Sequence, residues 1–378
     1  MGRVIVVGGG IVGAAAAWHL TRAGARVLLL ERAAAPATGA SRASFSRATA
    51  FGKGPRRYFD LNHAGLRELH DLRAAGVPGF HPCPSLVWDR APDDLAARLA
   101  EARRWGYGAE PVPRSGPEIP AGVDRAALPP AVGLLPGEGW VDLPAMAAWL
   151  LDRARGAGAE VRFGTEVAGL AVGDGGAVHG AVTADGRTEE GDVLVNAAGA
   201  GGQEIAGFAG GPLALAPTRG LLVDVAAPGG LAGMLLAPAV SVRPAGPDRV
   251  RVRSDAVDAR LRDAAPAAVP GGLVTELIER AATLLPALQG ARPESVRVGV
   301  RAFPADGLSS VGTLGTAPGY YEIVTHSGAT LGPLLGRLAA EEIADGHRSP
   351  LLAVYAPERF AAGARNDTGA APAPAHPQ

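Results

Sequence analysis

Residues 3–13 read RVIVVGGGIVG, and this stretch decides the fold. Apart from the arginine, its first five residues are apolar and β-branched, a pattern typical of a buried parallel strand. Gly8, Gly10 and Gly13 have the spacing G-x-G-x-x-G, and strong helix formers occupy residues 14–23. A strand, a tight glycine turn and a helix in this order predict a doubly wound α/β domain that binds a dinucleotide.

The parts of this unit have separate physical tasks. Gly8 permits the tight turn, Gly10 lets backbone approach a pyrophosphate, and Gly13 lets the helix pack closely on the strand. The helix N-terminus offers N–H groups and partial positive charge to the phosphates. A second apolar run, residues 26–30, leads to Glu31, which can accept hydrogen bonds from a ribose diol. We predict that the dinucleotide contacts Gly8, Gly10, Ile11, Val12, Gly13, Glu31 and Arg32.

Composition excludes several classes of protein. The 378 residues include 36 Lys+Arg and 37 Asp+Glu, so the net charge of −1 argues against a nucleic-acid binder. One cysteine, Cys83, rules out an internal disulfide and four-thiolate metal sites, and we predict no metal. Glycines interrupt the apolar N-terminal run, which His19 ends too early for a membrane span. We expect a cytoplasmic protein without a targeting sequence, and a disordered tail over residues 361–378.

NAD and FAD sites share this glycine fingerprint, so other stretches must distinguish them. Five further stretches of the chain carry this information. They are TGASRAS at residues 38–44, TEV at residues 165–167, DVLVNAAG at residues 192–199, GVRAFPADG at residues 299–307 and YYEIVTHSGATL at residues 320–331. With these stretches the chain resembles the FAD-dependent D-amino acid oxidase superfamily, which includes glycine oxidase, sarcosine oxidase and D-amino acid dehydrogenase. The resemblance covers the chain almost end to end.

The resemblance implies an α/β protein in which a Rossmann-like FAD-binding domain alternates along the chain with an α+β substrate domain that has a mixed sheet. We expect the FAD-binding domain to comprise residues 1–80, 139–210 and 298–360. The substrate domain would comprise residues 81–138 and 211–297.

The resemblance also assigns site residues. The second flavin-contacting loop would be Ser41, Arg42, Ala43 and Ser44, adenine would be held at Val167, and Ala198 and Gly199 would pass beside the FAD. A helix that begins near Thr330 would direct Ser327, Gly328, Ala329, Thr330 and Leu331 at the flavin. Arg301 would contact the flavin and receive a substrate carboxylate, because a guanidinium binds a carboxylate bidentately. His326 would touch substrate.

The chain departs from the family pattern at three positions. Ala302 stands where the family's motif has a proline. Sarcosine oxidase-like members attach FAD through a cysteine in the C-terminal half, whereas Cys83 lies far from the flavin motifs in sequence, so we predict non-covalent FAD. Those members also use a lysine near the flavin to activate oxygen. Lys53, the only lysine of this chain, is the only candidate for that role, but it lies in the opposite half of the chain, which argues against fast oxidase chemistry.

These observations predict an enzyme that oxidises the C–N bond of a small amino acid or N-substituted amine. Hydride would pass to flavin N5, an imine would form, and oxygen or another acceptor would reoxidise the flavin. Three alternatives remain open. A flavin-dependent 2-hydroxy acid dehydrogenase would need a base such as His326. The others are a non-catalytic FAD-binding protein and an NAD enzyme.

Overall fold

The computed structural model describes residues 2–89, 91–216, 218–261 and 269–361, so all but the first residue of the predicted disordered tail lies outside it. The α-helices are α1 (Ile11–Arg22), α2 (Arg56–Ala74), α3 (Pro92–Arg104), α4 (Leu143–Gly156), α5 (Gly202–Phe208), α6 (Asp255–Ala259), α7 (Gly271–Ala282) and α8 (Gly328–Asp345). Short 3₁₀ helices span Arg125–Ala127, Asp174–Gly176, Gly199–Gly201, Pro286–Leu288, Pro350–Leu352 and Pro357–Phe360.

The strands of the described residues form four sheets. They are β1 (Arg3–Val7), β2 (Arg26–Glu31), β3 (Arg47–Ala48), β4 (Phe80–Pro82), β5 (Ser85–Val87), β6 (Glu110–Pro113), β7 (Ala131–Leu135), β8 (Gly139–Val141), β9 (Glu160–Phe163), β10 (Val167–Val172), β11 (Val178–Thr183), β12 (Thr188–Glu190), β13 (Val193–Asn196), β14 (Thr218–Ala226), β15 (Met234–Leu236), β16 (Ser241–Pro244), β17 (Arg249–Arg253), β18 (Pro293–Arg301), β19 (Ser310–Thr313) and β20 (Tyr320–Val324).

The predicted dinucleotide unit forms the centre of a six-stranded sheet with the order β19-β20-β13-β1-β2-β9. Strand β1 lies parallel to both β2 and β13, and β20 and β9 extend the parallel array on either side. Only the edge strand β19 is antiparallel. The carboxyl ends of β1, β2 and β13 therefore meet at one edge of the sheet, where ligands bind in open α/β folds.

Helix α1 packs against α4 and α8. Its residues Ala14, Ala15, Ala16 and Ala17 are fully buried, because small side chains let the neighbouring helices approach closely. The closest approach is to α8: a Cβ added at Gly336 would lie 2.6 Å from the Cβ of Ala15. One turn nearer the N-terminus, a Cβ at Gly332 would lie 3.0 Å from Ile11.

An eight-stranded sheet, with the order β18-β14-β17-β16-β15-β5-β7-β6, forms a second layer. Its neighbours are antiparallel except for the parallel pair of β15 and β5, so the sheet is mixed, as predicted. Two three-stranded sheets, β10-β11-β12 and β3-β8-β4, complete the fold. The α/β class with an additional mixed sheet is confirmed.

At least one predicted domain boundary does not coincide with an end of a strand. The strand β18 crosses the expected boundary at residue 298 without a break and pairs with β14 along its length. Arg301 is thus the last residue of a strand in the eight-stranded sheet. The division into two domains stays a prediction. Within the ranges that the structure describes, no helix is long and apolar enough to cross a bilayer.

Candidate active site

A shallow cleft opens at the carboxyl ends of β1, β2 and β13. The predicted residues Gly8, Glu31, Arg32, Val167 and Ala198 line it. They come from four separate stretches of sequence, and the fold brings them to one place. The residues predicted to hold the adenosine end of the dinucleotide therefore share one concave surface, and their contacts with it stay a prediction.

The glycine turn has the geometry that its sequence predicts. Gly8 has φ +109°, in the region that favours glycine, and a Cβ there would lie 2.5 Å from the carbonyl oxygen of Ala197. A Cβ at Gly13 would lie 1.9 Å from the Gly8 oxygen, so the helix touches the turn directly. Gly10 is the N-cap residue of α1 and has no side-chain cap. Ser41 of the second predicted loop reaches this helix end, where its Oγ accepts the N–H of Ile11 at 3.2 Å.

Glu31 also holds the glycine turn in shape. Its Oε2 accepts the N–H of Gly9 at 2.5 Å, and its Oε1 accepts the N–H of Ala33 at 2.8 Å. The carboxylate still lines the cleft, where its remaining lone pairs are available to a ribose diol.

The N-terminus of α8 lies beside that of α1. The residue nearest to a Cβ added at Gly328 is Ile11, at 3.5 Å, so the two helix N-termini are neighbours at the same edge of the sheet. Thr330 is fully buried, and its Oγ1 accepts the N–H of Thr49 at 3.1 Å. Leu331 is buried in the core as well. From these two positions a flavin would meet backbone rather than side chains.

The second predicted loop is held by arginines of the eight-stranded sheet. Arg251 donates to the carbonyl oxygen of Ser44 at 3.0 Å, and the buried Arg243 donates to that of Phe45. Ala43 touches the same sheet, because a Cβ at Gly299 would lie 2.2 Å from its carbonyl oxygen. The other predicted loop residue, Arg42, is exposed.

Arg301 is paired with an acid that sequence reasoning missed. Its Nη2 donates to Oδ2 of Asp258 at 2.8 Å, and Oδ1 of the same carboxylate accepts the N–H of Leu221 at 2.8 Å. The guanidinium lies over Gly220, where a Cβ would be 2.5 Å from Nη2. Asp258 therefore fixes one end of a guanidinium that remains 22% exposed and keeps other N–H donors for a ligand.

His326 is enclosed by protein groups. Its ring stacks on Phe303 with centroids 4.3 Å apart, and its Nε2 lies 3.0 Å from both the Gly307 oxygen and the Tyr58 hydroxyl. Burial is the main cause that lowers the pKa of His326 to about 3. The imidazole is therefore neutral at physiological pH.

Lys53 lies next to the predicted flavin helix, contrary to our expectation from its place in the sequence. Its Nζ donates to Oγ of Ser327, the N-cap residue of α8, at 3.0 Å. The Tyr58 hydroxyl also lies 3.0 Å from that Oγ. The fold brings the two halves of the chain together here. The one feature of the sequence that marked Lys53 as a candidate site residue is that it is the only lysine.

A buried carboxylate, Glu138, joins the layers behind the site. It is fully buried and accepts two hydrogen bonds from Arg47, at 2.7 and 2.9 Å. It also accepts hydrogen bonds from the hydroxyls of Thr49, Ser85 and Tyr107. Nothing in the local sequence marked it, because its partners come from three separate segments, residues 47–49, Ser85 and Tyr107.

The family follows from comparison with known proteins. The chain matches the family model described as DAO, FAD dependent oxidoreductase, over residues 3–342. The chain belongs to this family. It is an FAD-dependent oxidoreductase, as predicted. No curated protein sequence matches it.

Solved structures share the fold. Glycine oxidase from Geobacillus kaustophilus is similar with TM-score 0.82 and 24% identity, over 95% of this chain and 98% of that one. L-proline dehydrogenase from P. horikoshii is similar with TM-score 0.82 and 18% identity, over 95% and 97%. Iminodiacetate oxidase from Chelativorans sp. BNC1 is similar with TM-score 0.76 and 23% identity, over 94% and 99%. At these identities the likeness is one of fold.

The site fits FAD in three respects. Gly10 leaves room at the N-terminus of α1, where an added Cβ would meet only the Ser41 hydroxyl, at 3.3 Å. The cleft that contains Glu31 and Val167 is lined by Gly8 of the same glycine turn, and the N-terminus of α8 lies next to Ile11 at the start of α1. Two helix N-termini suit a diphosphate and an electron-accepting ring. The individual contact residues stay predictions.

Cys83 has the properties of a structural thiol. It is buried, and burial raises the pKa of its thiol to about 11. A thiol with this pKa carries almost no thiolate at neutral pH and is a poor nucleophile. Non-covalent FAD remains our prediction.

Proposed function

We propose that the enzyme oxidises the C–N bond of a small amino acid or N-substituted amine that carries a carboxylate. The observation that carries this proposal is the Arg301 guanidinium, which lies at the end of β18 with one nitrogen fixed by Asp258. Phe303, two residues after Arg301, stacks on His326, the residue before the N-cap of α8, so the end of β18 lies beside the proposed flavin site.

The chain's own groups supply binding and orientation. Arg301 would receive the substrate carboxylate through its remaining N–H donors, and this contact would point the α-C–H at the flavin. Bound FAD supplies the two-electron acceptor for hydride transfer. Oxygen or another acceptor would reoxidise the enzyme.

The environment of His326 favours amine oxidation over hydroxy-acid oxidation. A 2-hydroxy acid dehydrogenase needs a base that reaches the substrate hydroxyl. Here Nε2 lies within 3.0 Å of two protein oxygens and Nδ1 lies 3.4 Å from the Ser327 hydroxyl. We therefore assign His326 to the wall of the site, where it places Tyr58 and Phe303.

An anaerobic substrate panel tests the proposal. Glycine, sarcosine, proline, iminodiacetate and both enantiomers of alanine are mixed with the yellow holoprotein, beside the matching 2-hydroxy acids, and bleaching of the flavin band is followed. Bleaching by at least one amine and by no hydroxy acid is expected. Bleaching by hydroxy acids alone would refute the proposal.

The role of Arg301 is tested separately with the best substrate. Arg301→Ala should raise KM at least a hundredfold, because removing a charged hydrogen-bond partner costs about 3 kcal/mol. Arg301→Lys should recover part of that loss, since it keeps the charge but not the bidentate geometry. The control is Arg249→Ala on β17, which removes a half-exposed arginine of the same sheet. An unchanged KM in Arg301→Ala would contradict the assignment.

A further inference from the structure

Lys53 is a buried cation without a counter-charge in the described part of the chain. Its side chain is 7% exposed, and no carboxylate among the described residues lies within ion-pair distance of its Nζ. Its hydrogen-bond partner is the neutral hydroxyl of Ser327, and its Nζ lies 5.6 Å from the centroid of the Tyr58 ring. A buried ammonium is stable only when a charge or several hydrogen bonds compensate for the lost water.

The charged groups around Lys53 disfavour an ammonium. On β3, Arg47 carries a positive charge that disfavours a second cation at Lys53, and it is itself paired with Glu138. On the segment before α8, His326 is neutral, and the partial positive charge of the helix N-terminus adds to the repulsion. On α2, Tyr58 faces Lys53 with a hydroxyl whose pKa is raised by burial, so it supplies no negative charge. Burial and then Arg47 hold the pKa of Lys53 well below its usual range.

A negative charge that could stabilise the ammonium form of Lys53 must therefore come from a bound group. Ser327, which contacts Lys53, is the N-cap residue of α8, and the N-terminus of this helix adjoins that of α1. The oxidised flavin is neutral in its ring, whereas its reduction places negative charge on the pyrimidine edge. That edge is the part of FAD that we assign to the N-terminus of α8.

We propose that Lys53 is neutral beside the oxidised cofactor and takes up one proton from solvent when the cofactor is reduced. Its ammonium then compensates the negative charge at the N-terminus of α8. The reductant supplies two electrons, one proton goes to the flavin ring, which would then carry one net negative charge, and a second proton from solvent binds to Nζ; reoxidation releases both protons again. Lys53 acts through its charge and through its contact with Ser327, so it is a positioning residue: it stabilises the negatively charged, reduced form of the cofactor. The inference rests on the proposed place of the flavin ring and not on an amine being the substrate.

The unique lysine allows a direct measurement of this proton. Holoprotein labelled with ¹³Cε-lysine should give one lysine resonance, which Lys53→Met removes and thereby assigns. At pH 8 we expect the chemical shift of a neutral amine in the oxidised protein. Anaerobic dithionite should move it to the shift of an ammonium, and air should return it.

Three results would overturn the proposal. The resonance could have the ammonium shift in the oxidised protein, or keep the amine shift after complete reduction. It could also move when acetate alone is added to the oxidised protein, which would assign Lys53 to carboxylate binding instead. Because dithionite supplies the electrons, a protein that rejects every amine still gives these readouts, so failure of the proposed function is distinguished from failure of this inference.

The pH dependence of the flavin midpoint potential is a second test. One extra proton per two electrons makes the reduction equilibrium change a further tenfold per pH unit, which is about 30 mV for a two-electron couple. We expect Lys53→Met and Lys53→Arg both to lose this part of the slope, while the permanent cation of Lys53→Arg keeps the higher potential at alkaline pH. The control, Arg56→Met, removes an exposed cation three residues away and should keep the wild-type slope. Equal slopes in the wild type and both Lys53 variants would refute the proposal.

Discussion

The close crossing of α1 and α8 determines where the two helix N-termini lie, and Gly336→Ala tests it. A Cβ at this position would lie 2.6 Å from the Cβ of Ala15 and 2.7 Å from both the carbonyl carbon of Ala15 and the nitrogen of Ala16. Real Cβ atoms do not approach other heavy atoms so closely. Because two of the three opposing atoms are backbone, no side-chain rotation can relieve the contact, and the helices must move apart.

The magnitude follows from two opposing terms. Overpacking of a dense interior costs about 1–3 kcal/mol, and a contact with backbone belongs at the upper end of that range. Alanine in place of a helical glycine recovers about 1 kcal/mol of helix propensity. We therefore expect Gly336→Ala to lower the free energy of unfolding by about 2 kcal/mol. The displacement should also weaken FAD binding, because it separates the two N-termini.

The assay combines urea unfolding of the apoprotein with the temperature at which bound flavin is released, followed by its fluorescence. The matched control is Gly156→Ala at the end of α4, where a Cβ would meet nothing within 4 Å. We expect the control to be as stable as the wild type or slightly more stable. If Gly336→Ala unfolds and releases flavin as the control does, the crossing does not set the site's geometry.

Three further predictions concern buried groups. Glu138→Gln should lower the free energy of unfolding by about 3–5 kcal/mol, because it leaves the largely buried guanidinium of Arg47 without its counter-charge. Asp60→Asn breaks the exposed pair with Arg56 and should change that free energy by less than about 1 kcal/mol in the same urea titration. At pH 8, Cys83 should be alkylated slowly in the native protein and rapidly after denaturation, because burial raises the pKa of its thiol. Acid precipitation should leave the flavin in the supernatant, and flavin in the pellet would contradict non-covalent binding. His19 and His326 have pKa values lowered to about 3, so between about pH 6.5 and 3 the unfolded state binds more protons and stability should fall as pH falls. Urea titrations at pH 7 and pH 5 measure this decline, and His19→Gln should reduce it; an equal decline in that variant would contradict the assignment.

Local constraints made the cofactor half of the site predictable. A glycine turn with positive φ at Gly8, and the contact of Gly13 with that turn, are required by backbone sterics within a few residues. Such requirements appear in the sequence as glycines at fixed spacing. The same holds for α8, which was expected to begin near Thr330 within one continuous stretch and begins at Gly328.

Side-chain pairs between distant segments could not be predicted in this way. Asp258 contacts Arg301 from 43 residues away, and Lys53 contacts Ser327 from 274 residues away. Both contacts depend on how the sheets are placed against each other, which no local pattern records. Our expectation for Lys53 was wrong for this reason: it treated distance along the chain as distance in the fold.

The distribution of charge favours anion binding at three points of the proposed site: the arginines of the eight-stranded sheet and the N-termini of α1 and α8. In the eight-stranded sheet, Arg251 is balanced by Asp224 and Arg301 by Asp258, so each arginine is oriented before a ligand arrives. The N-termini of α1 and α8 have no such acid within the first turn. A diphosphate at α1 and a reduced ring at α8 would supply the missing negative charge. Lys53 fits this arrangement because it is buried at the N-terminus of α8, with no carboxylate among the described residues to pair with it. Under our proposal, its protonation therefore depends on the charge of the group bound there.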